Sequence, residues 1–402
     1  MSDVLTKEKP VAAQLTAEHR AAAAWSAVCE PGDIRAKTIV THFGYREALE
    51  RLDYLASHSI DDADTIRETF APVSLGASVA AVQGWVLRYR DLNLEMELDW
   101  LRHLGGTLLI PGDASWPVQL DILQSSAPLT LWVRGHAAAL TDASTKGAVA
   151  LVGARAASRY GTKIAEEIAY ELAERGVWVI SGGAYGIDAA AHRGALAVTG
   201  QTISVQAGGL GELYPAMNAS LFSQIEHSGA IISESPCSMR PAKRLFLIRN
   251  RLIAALSQAV VVVEAGQRSG AVSTANHGLD QGREVAAVPG PVTSMSSVGC
   301  HNLIRQGAAL VTCAKDILEL LTVVPAQSEP ETQTLFSGLD ANGVKVIDSL
   351  HPTHWQSVEK IARAAGLGIA TVRQVLGLLE LCAKAENHDG RYRLNRRESP
   401  GG

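Results

Sequence analysis

The 402 residues are enough for about two to three domains, each with its own core. The chain is 47% hydrophobic and 19% charged, as soluble globular proteins are. Its net charge of −5 excludes a protein that binds nucleic acid through an overall positive charge, so any site for a polyanion must be a local basic patch. Five scattered cysteines without a CxxC pair exclude a disulfide framework and a zinc knuckle. No stretch resembles a signal peptide or a membrane span, so we expect a cytoplasmic protein.

The first hundred residues predict helices without a chemical site. Residues 1–15 are expected to form a disordered tail. Residues 16–103 contain Ala-rich and periodic apolar stretches, interrupted at Pro31-Gly32. We interpret them as a small helical module of the SAM or helix-hairpin-helix kind, suited to docking or accessory contacts.

Residues 105–321 change to a repeating pattern of continuous apolar strands and helical segments. VALVGAR (149–155), VWVISGG (177–183) and AVVVVEAG (259–266) are such strands, each followed by a turn and a helix. This alternation predicts an α/β domain whose parallel sheet is covered on both faces, doubly wound and Rossmann-like. Ligands of such sheets bind outside the carboxyl ends of the strands.

One basic segment opens a helix inside this domain. No acidic residue occurs between Pro236 and Gln258, and the segment RPAKRLFLIRNR (240–251) places five cations around one aromatic ring. They are Arg240, Lys243, Arg244, Arg249 and Arg251, around Phe246. Fixed positive charges beside a ring suit a chain of phosphates with a base to stack. The alternative is a solvated charged face.

Glycine-rich turns follow several of the predicted strands. GARAASRYG (153–161), SGGAYGID (181–188) and EAGQRSG (264–270) each precede a helix, whose free N–H groups could bind an anion. Any one of them could also be a simple tight turn. The turns do not match GxGxxG with a following acidic residue, and GxxxxGK[ST] is absent, so neither NAD nor a Walker-type ATPase is predicted.

One pair of side chains leaves an enzymatic alternative open. Asp188 and His192 stand four residues apart on one helix, near Ser181, and could act in acid–base chemistry. The simpler interpretation is that Asp188 stabilises free N–H groups in the first helical turn, with His192 as its hydrogen-bonded neighbour. No HxH or DxD cluster supports a metal. We therefore predict no catalytic residue, no metal and no cofactor.

The remaining residues predict a linker and a small third domain. Residues 322–338 are rich in Pro and polar residues, as linkers are. Residues 339–397 read as three helices and a hairpin around Asp389-Gly390, the order of a winged helix. Thr371, Arg373 and Gln374 occupy the recognition-helix position. Whether this domain contacts duplex DNA or only protein stays open.

The motifs together resemble the DprA/Smf family of DNA-processing proteins. VGARAASRYG, SGGAYGIDAAAH, AGGLGELYPAMN, KxxF-x-x-RNR, VVVEAGQRSGAVSTA and GREVAAVPG follow one another across residues 105–315. The resemblance implies a protein without catalytic activity. It also implies single-stranded DNA binding on the Rossmann-like domain, a homodimer, and loading of the RecA recombinase in natural transformation.

By motif, the resemblance assigns Arg155 and Lys243 to phosphates and Phe246 to a base, with Arg249 and Arg251 lining the groove. Three positions depart from the family pattern: Leu247, where a proline is common, Gly183, where a bulkier apolar residue is common, and Tyr185, where a basic residue is common. Two other functions remain as alternatives: a nucleotide-processing enzyme and a winged-helix regulator of duplex DNA. The predicted DNA-binding set is Gly153, Arg155, Ser158, Gly161, Ser181, Gly182, Gly183, Gly186, Arg240, Lys243, Arg244, Phe246, Arg249, Asn250, Arg251, Ser269 and Gly270.

Overall fold

The computed structural model describes residues 15–58, 62–73, 79–198, 200–267, 269–321, 341–381 and 384–395. The chain divides into two compact units, Met1–Val324 and Pro325–Gly402. The predicted linker and nearly all of the predicted N-terminal tail lie outside the described residues.

The first unit begins with helices packed around aromatic residues. They are α1 (Ala17–Val28), α2 (Ile34–Phe43), α3 (Tyr45–Ala56), α4 (Ala63–Thr69), α5 (Val79–Arg90) and α6 (Leu94–His103). Trp25 and Trp85 meet edge to face at 5.7 Å in their core. These helices contact the sheet directly: the indole of Trp132, in the strand Leu131–Gly135, donates a 3.0 Å hydrogen bond to the hydroxyl of Ser26 on α1. Helices and sheet are therefore parts of one compact unit.

Within the described residues, nine strands form one sheet in the order β1-β2-β6-β5-β4-β3-β7-β8-β9. Neighbours from β6 to β9 are parallel, as predicted, whereas β1 and β2 add an antiparallel edge. Strand β7 illustrates the parallel part of the sheet: all of its residues are buried, and its run of β-branched valines suits a strand covered on both faces. The strands are β1 (Thr107–Leu109), β2 (Leu131–Gly135), β3 (Ala148–Gly153), β4 (Trp178–Ser181), β5 (Thr202–Val205), β6 (Ala230–Ser233), β7 (Ala259–Glu264), β8 (Glu284–Ala287) and β9 (Ala309–Leu310).

The strand order reverses between β3 and β7. The chain runs outward from β3 through β4 and β5 to β6, and then returns to pair β7 with β3. Helix α11 (Lys243–Ala255), which starts in the basic segment, makes this return. The carboxyl ends of β3 and β7 therefore form the crevice where doubly wound sheets bind ligands. The other helices of this domain are α7 (Ala138–Lys146), α8 (Arg159–Glu174), α9 (Ile187–Leu196), α10 (Ala219–Ser228), α12 (Gly270–Asp280), α13 (Val298–Arg305) and α14 (Ala314–Leu321).

The second unit is small and has its own core. Its helices and hairpin follow the predicted order, and a short strand, Gln356–Ser357, is added between the first and second helices. This strand and the two strands of the hairpin pair antiparallel. Asp389 and Gly390, with φ of 50° and 74°, form the predicted hairpin turn. The elements are α15 (Ala341–Asp348), β10 (Gln356–Ser357), α16 (Val358–Ala365), α17 (Ile369–Leu381), β11 (Ala385–His388) and β12 (Arg391–Leu394).

Across the described part of the chain, no single helix is both long and apolar enough to span a membrane. The helices Val358–Ala365 and Ile369–Glu380 reach that length and apolarity only when taken together, and their directions differ by 106°.

Candidate nucleic-acid interface

The centre of the candidate site is the half-buried ring of Phe246 on the first turn of α11. The guanidinium carbon of Arg155, in the loop after β3, lies 4.8 Å from the centre of this ring. The ring of Tyr214, in the loop after β5, meets it edge to face at 5.7 Å. Three separate segments thus converge on one aromatic surface at the carboxyl edge of the sheet.

Tyr214 is the residue that the sequence reasoning missed. Its side chain is 46% exposed, although it contacts Phe246. The signal was present in AGGLGELYP, where an aromatic residue follows a glycine-rich turn at the end of a strand. Charge and glycine spacing mark other turns more strongly.

Two cations of the basic segment are free. Lys243 and Arg240 are exposed, and neither side chain has an ion pair or hydrogen bond among the described residues. Helix α11 begins after Ala242, whose methyl group cannot cap it. Ala242 and Lys243 are exposed, so the positive end of the helix dipole lies at the protein surface. Arg155 is likewise exposed. The arrangement is one that attracts anions.

Two further cations of the basic segment are paired with acids from other parts of the sequence. Arg244 pairs with Glu30, in the turn between α1 and α2. Arg251 is buried and pairs with Glu234, just after β6, at 2.7 Å. Both acids lie outside the acid-free segment that suggested five free charges. Arg251 therefore does not line an open groove, contrary to the prediction from the family motif.

Arg249 is also an interior residue, with 6% of its surface exposed. Its Nη1 donates to the carbonyl of Gly182 at 3.0 Å and to the carbonyl of Val205. Burial lowers the pKa of the guanidinium to about 10, and Asp188 opposes this shift. Arg249 thus ties the ends of β4 and β5 together beneath the surface, so the prediction that it lines the groove directly is not met.

The turn from Ser181 to Gly186 is built around Asp188. One carboxylate oxygen of Asp188 accepts hydrogen bonds from the N–H groups of Gly182 and Ala184, at 3.2 and 3.4 Å. Burial raises the pKa of Asp188, and the nearby Arg249 opposes that shift. The Ser181 hydroxyl donates to the Leu151 carbonyl at 2.6 Å. Gly182 and Ala184 therefore donate inward, and only part of this turn can offer amides to a ligand.

Gly183 and Gly186 serve the shape of the same turn. Their φ values are +67° and +76°, in the left-handed region that side chains disfavour. A Cβ on Gly186 would lie 2.2 Å from the Ala154 carbonyl oxygen, so this glycine lets the turn pack on the loop after β3.

The predicted contact between Asp188 and His192 is wrong. The Nδ1 atom of His192 lies 2.7 Å from the hydroxyl of Thr202, on β5, and the imidazole is fully buried. Burial lowers its pKa to about 3, so the ring is neutral. Asp188 is also buried, at 6% exposure. Neither group can reach a substrate at the surface, which removes the support for an acid–base enzyme.

The loop after β3 is closed by Glu264, at the end of β7. Ser158 caps α8 by accepting the Gly161 N–H at 3.0 Å, while the Ser158 N–H donates to Glu264 Oε2 at 2.8 Å. The register of β3 and β7 shifts at Gly153, which pairs with Glu264. A Cβ at Gly161 would lie 2.3 Å from Glu264 Oε2. Gly153, Ser158 and Gly161 thus form a loop that packs against a carboxylate.

The remaining predicted residues join α11 to α12. The side-chain amide of Asn250 donates to the Gly270 carbonyl at 3.3 Å, and Ser269 caps α12 through the Ala271 N–H. Asn250 is buried, whereas Ser269 and Gly270 are partly or fully exposed. In the described part of the chain, no group of three or more His, Cys, Asp or Glu side chains could hold a metal ion.

Comparisons with known proteins agree with this architecture. Residues 107–322 match the family model described as DNA recombination-mediator protein A. A DNA processing protein DprA of Mycobacterium tuberculosis is 44% identical over 312 residues, covering 75% of this chain and 80% of the relative. The protein Smf of Escherichia coli is 40% identical over 270 residues, covering 67% and 69%.

A solved structure extends the likeness to the fold. The X-ray structure of DNA processing protein A from Streptococcus pneumoniae superimposes with a TM-score of 0.55 at 30% sequence identity. The match covers 68% of this chain and 96% of that protein. With the family model matching more than half of its length, the chain belongs to the DprA/Smf family of DNA recombination-mediator proteins.

Proposed function

We propose that this protein binds single-stranded DNA across the carboxyl edge of its sheet, without catalysing a reaction on it. The observation that carries the proposal is the ring of Phe246, flanked by the Arg155 guanidinium at 4.8 Å and the Tyr214 ring at 5.7 Å. Lys243 and Arg240, which precede Phe246 by three and six residues in the sequence, are exposed. Aromatic surfaces bordered by free cations bind unpaired bases and their phosphates together.

The arrangement favours single strands over duplexes. A base can stack on Phe246 or Tyr214 only when it has left its own stack, which a duplex resists. Arg155 and Lys243 can contact phosphates of any sequence, so we expect little base preference. Free mononucleotides offer only one base and one phosphate group to the same surface.

The absence of catalysis is supported by the placement of the only acid–base pair suggested by the sequence. Asp188 and His192 are buried and serve the turn after β4 and the contact between α9 and β5. Both side chains have roles in the fold that explain their presence.

On the family resemblance, the bound strand is passed to the RecA recombinase, and the protein acts as a homodimer. The second unit fits a winged helix, with Arg373 and Gln374 exposed on α17. It is a second candidate contact, to DNA or to protein. The alternatives of a nucleotide-processing enzyme and of a duplex regulator have no feature of the interface in their favour.

Fluorescence anisotropy with a labelled oligonucleotide tests the interface. Wild type should bind the single strand more tightly than the matching duplex, and Arg155→Ala, Lys243→Ala and Phe246→Ala should each weaken binding. Lys146→Ala is the control, because Lys146 is an exposed lysine, paired with Asp142 at 3.0 Å, that ends α7 at the opposite, amino edge of the sheet. Single-strand binding that survives all three changes would refute the proposed interface.

Recombinase delivery needs its own assay. RecA should begin to hydrolyse ATP on strands pre-coated with single-strand-binding protein after a shorter lag when this protein is present. Phe246→Ala and Lys243→Ala should restore the long lag in proportion to their loss of DNA affinity. An unchanged lag with the wild-type protein would limit the function to strand binding.

A further inference from the structure

The carboxylate of Glu264 occupies the position where many doubly wound folds bind a phosphate. That position is the N-terminus of the helix after the central strand, at the switch in strand order. Here the helix is α8 and the strands are β3 and β7. Glu264 Oε2 accepts the Ser158 N–H at 2.8 Å, and Oε1 accepts the Ser296 hydroxyl at 2.5 Å.

The backbone is shaped to place this carboxylate there. The β3–β7 register shifts between Val152 and Gly153, and such irregularities re-aim side chains at the end of a strand. Gly161 leaves the space that the carboxylate fills, since a Cβ would lie 2.3 Å from Oε2. Glu264 is 4% exposed. Its main-chain carbonyl also accepts the Ala154 N–H at 2.7 Å, so the loop after β3 is held at two points.

We infer that Glu264 is a specificity-determining residue, which acts as a built-in anion and excludes free phosphate, mononucleotides and dinucleotides from the switch point. The neighbouring turn shows the same device, because Asp188 accepts the N–H groups of Gly182 and Ala184. Two internal carboxylates thus accept hydrogen bonds from backbone N–H groups that, in a nucleotide-binding fold, would bind the ligand. A strand bound at this edge is held by exposed side chains, each weak alone, so a polymer binds and a monomer does not.

This inference deepens the proposed function and rests on it for its meaning, but it can be tested without DNA. The probe is inorganic phosphate, with chloride at equal ionic strength as reference, and the readout is the Tm. In Glu264→Ala, the Ser158 N–H, the Ser296 hydroxyl and the end of α8 lose their anion, so phosphate should raise the Tm saturably by about 3–5 °C. Wild type should respond to phosphate no more than to chloride.

Two further variants separate the site from general charge effects. Glu264→Gln fills the same space and should show no phosphate response. Glu166→Ala removes a partly exposed acid, paired with Arg193, from the same helix and should also show none. A missing response in folded Glu264→Ala, or an equal response in Glu166→Ala, would overturn the inference.

If Glu264→Ala does not fold, the exclusion of nucleotides can be tested on the wild-type protein. AMP and NAD are titrated separately into wild type by calorimetry. The inference expects no binding tighter than about 1 mM, and a tighter constant for either ligand would overturn it. Failure of these tests leaves single-strand binding untouched, whereas loss of the Arg155, Lys243 and Phe246 effects on DNA removes the proposed function itself.

Discussion

Replacement of Phe246 by alanine should weaken single-strand binding through the loss of base stacking. Stacking of one base on an aromatic ring contributes about 1–3 kcal/mol, which corresponds to roughly a 5- to 150-fold loss of affinity. The fold should survive, because the ring is only half buried and its contacts with Tyr214 and Arg155 together contribute about 1–2 kcal/mol. Phe246→Leu keeps apolar bulk without a ring and should bind nearly as weakly as Phe246→Ala.

The assay can isolate stacking from phosphate contact. Anisotropy is measured with a normal oligonucleotide and with an abasic strand of equal length and charge. Phe246→Ala should weaken binding of the normal strand far more than binding of the abasic strand. Arg155→Ala should weaken both, since it removes a phosphate contact together with the cation beside the ring. An equal loss on the two strands in Phe246→Ala would refute the stacking argument.

Other predictions concern charge and burial. Lys243→Ala should reduce the slope of log affinity against log salt by about 0.7, whereas Lys146→Ala should leave it unchanged. The folded state excludes a proton from His192, so wild type should lose stability as pH falls from 6.5 towards about 3, by up to about 1.4 kcal/mol per pH unit. His192→Leu should flatten that part of a Tm-against-pH curve; an unchanged curve would contradict the burial argument. Glu234→Ala leaves Arg251 buried without a partner and should cost about 3–5 kcal/mol in denaturant unfolding, with little change in DNA affinity.

Periodicity predicted the parallel part of the sheet because the signal is local. A strand such as AVVVVE, covered on both faces, needs a continuous apolar run, and β7 is buried throughout. The antiparallel edge of β1 and β2 was not predicted, since pairing direction depends on where distant strands lie. The same holds for the packing of α1 on the sheet through Ser26 and Trp132.

The sequence predicted which segments form the candidate site. It did not predict which of their cationic side chains are exposed and which are buried. Arg155, Lys243 and Phe246 were named from charge, ring and motif, and the structure brings Arg155 and Phe246 together. Their role in DNA binding stays a prediction. Arg249, Arg251 and Lys243 are all cations of α11, and their positions on the helix decide which of them is exposed only once the helix has packed.

The sequence by itself determined the α/β class, the glycine-rich turns at the strand ends and the segment that carries the positive charge. These follow from residue type and short spacing, which act within a few residues. Only the tertiary structure decided which charges remain free. Glu30 and Glu234 neutralise Arg244 and Arg251 across long separations in sequence. Glu264 likewise accepts a hydrogen bond from the N–H of Ser158, which is far from it in the sequence. Electrostatic and hydrogen-bond partners depend on distance in space, which only the folded chain determines.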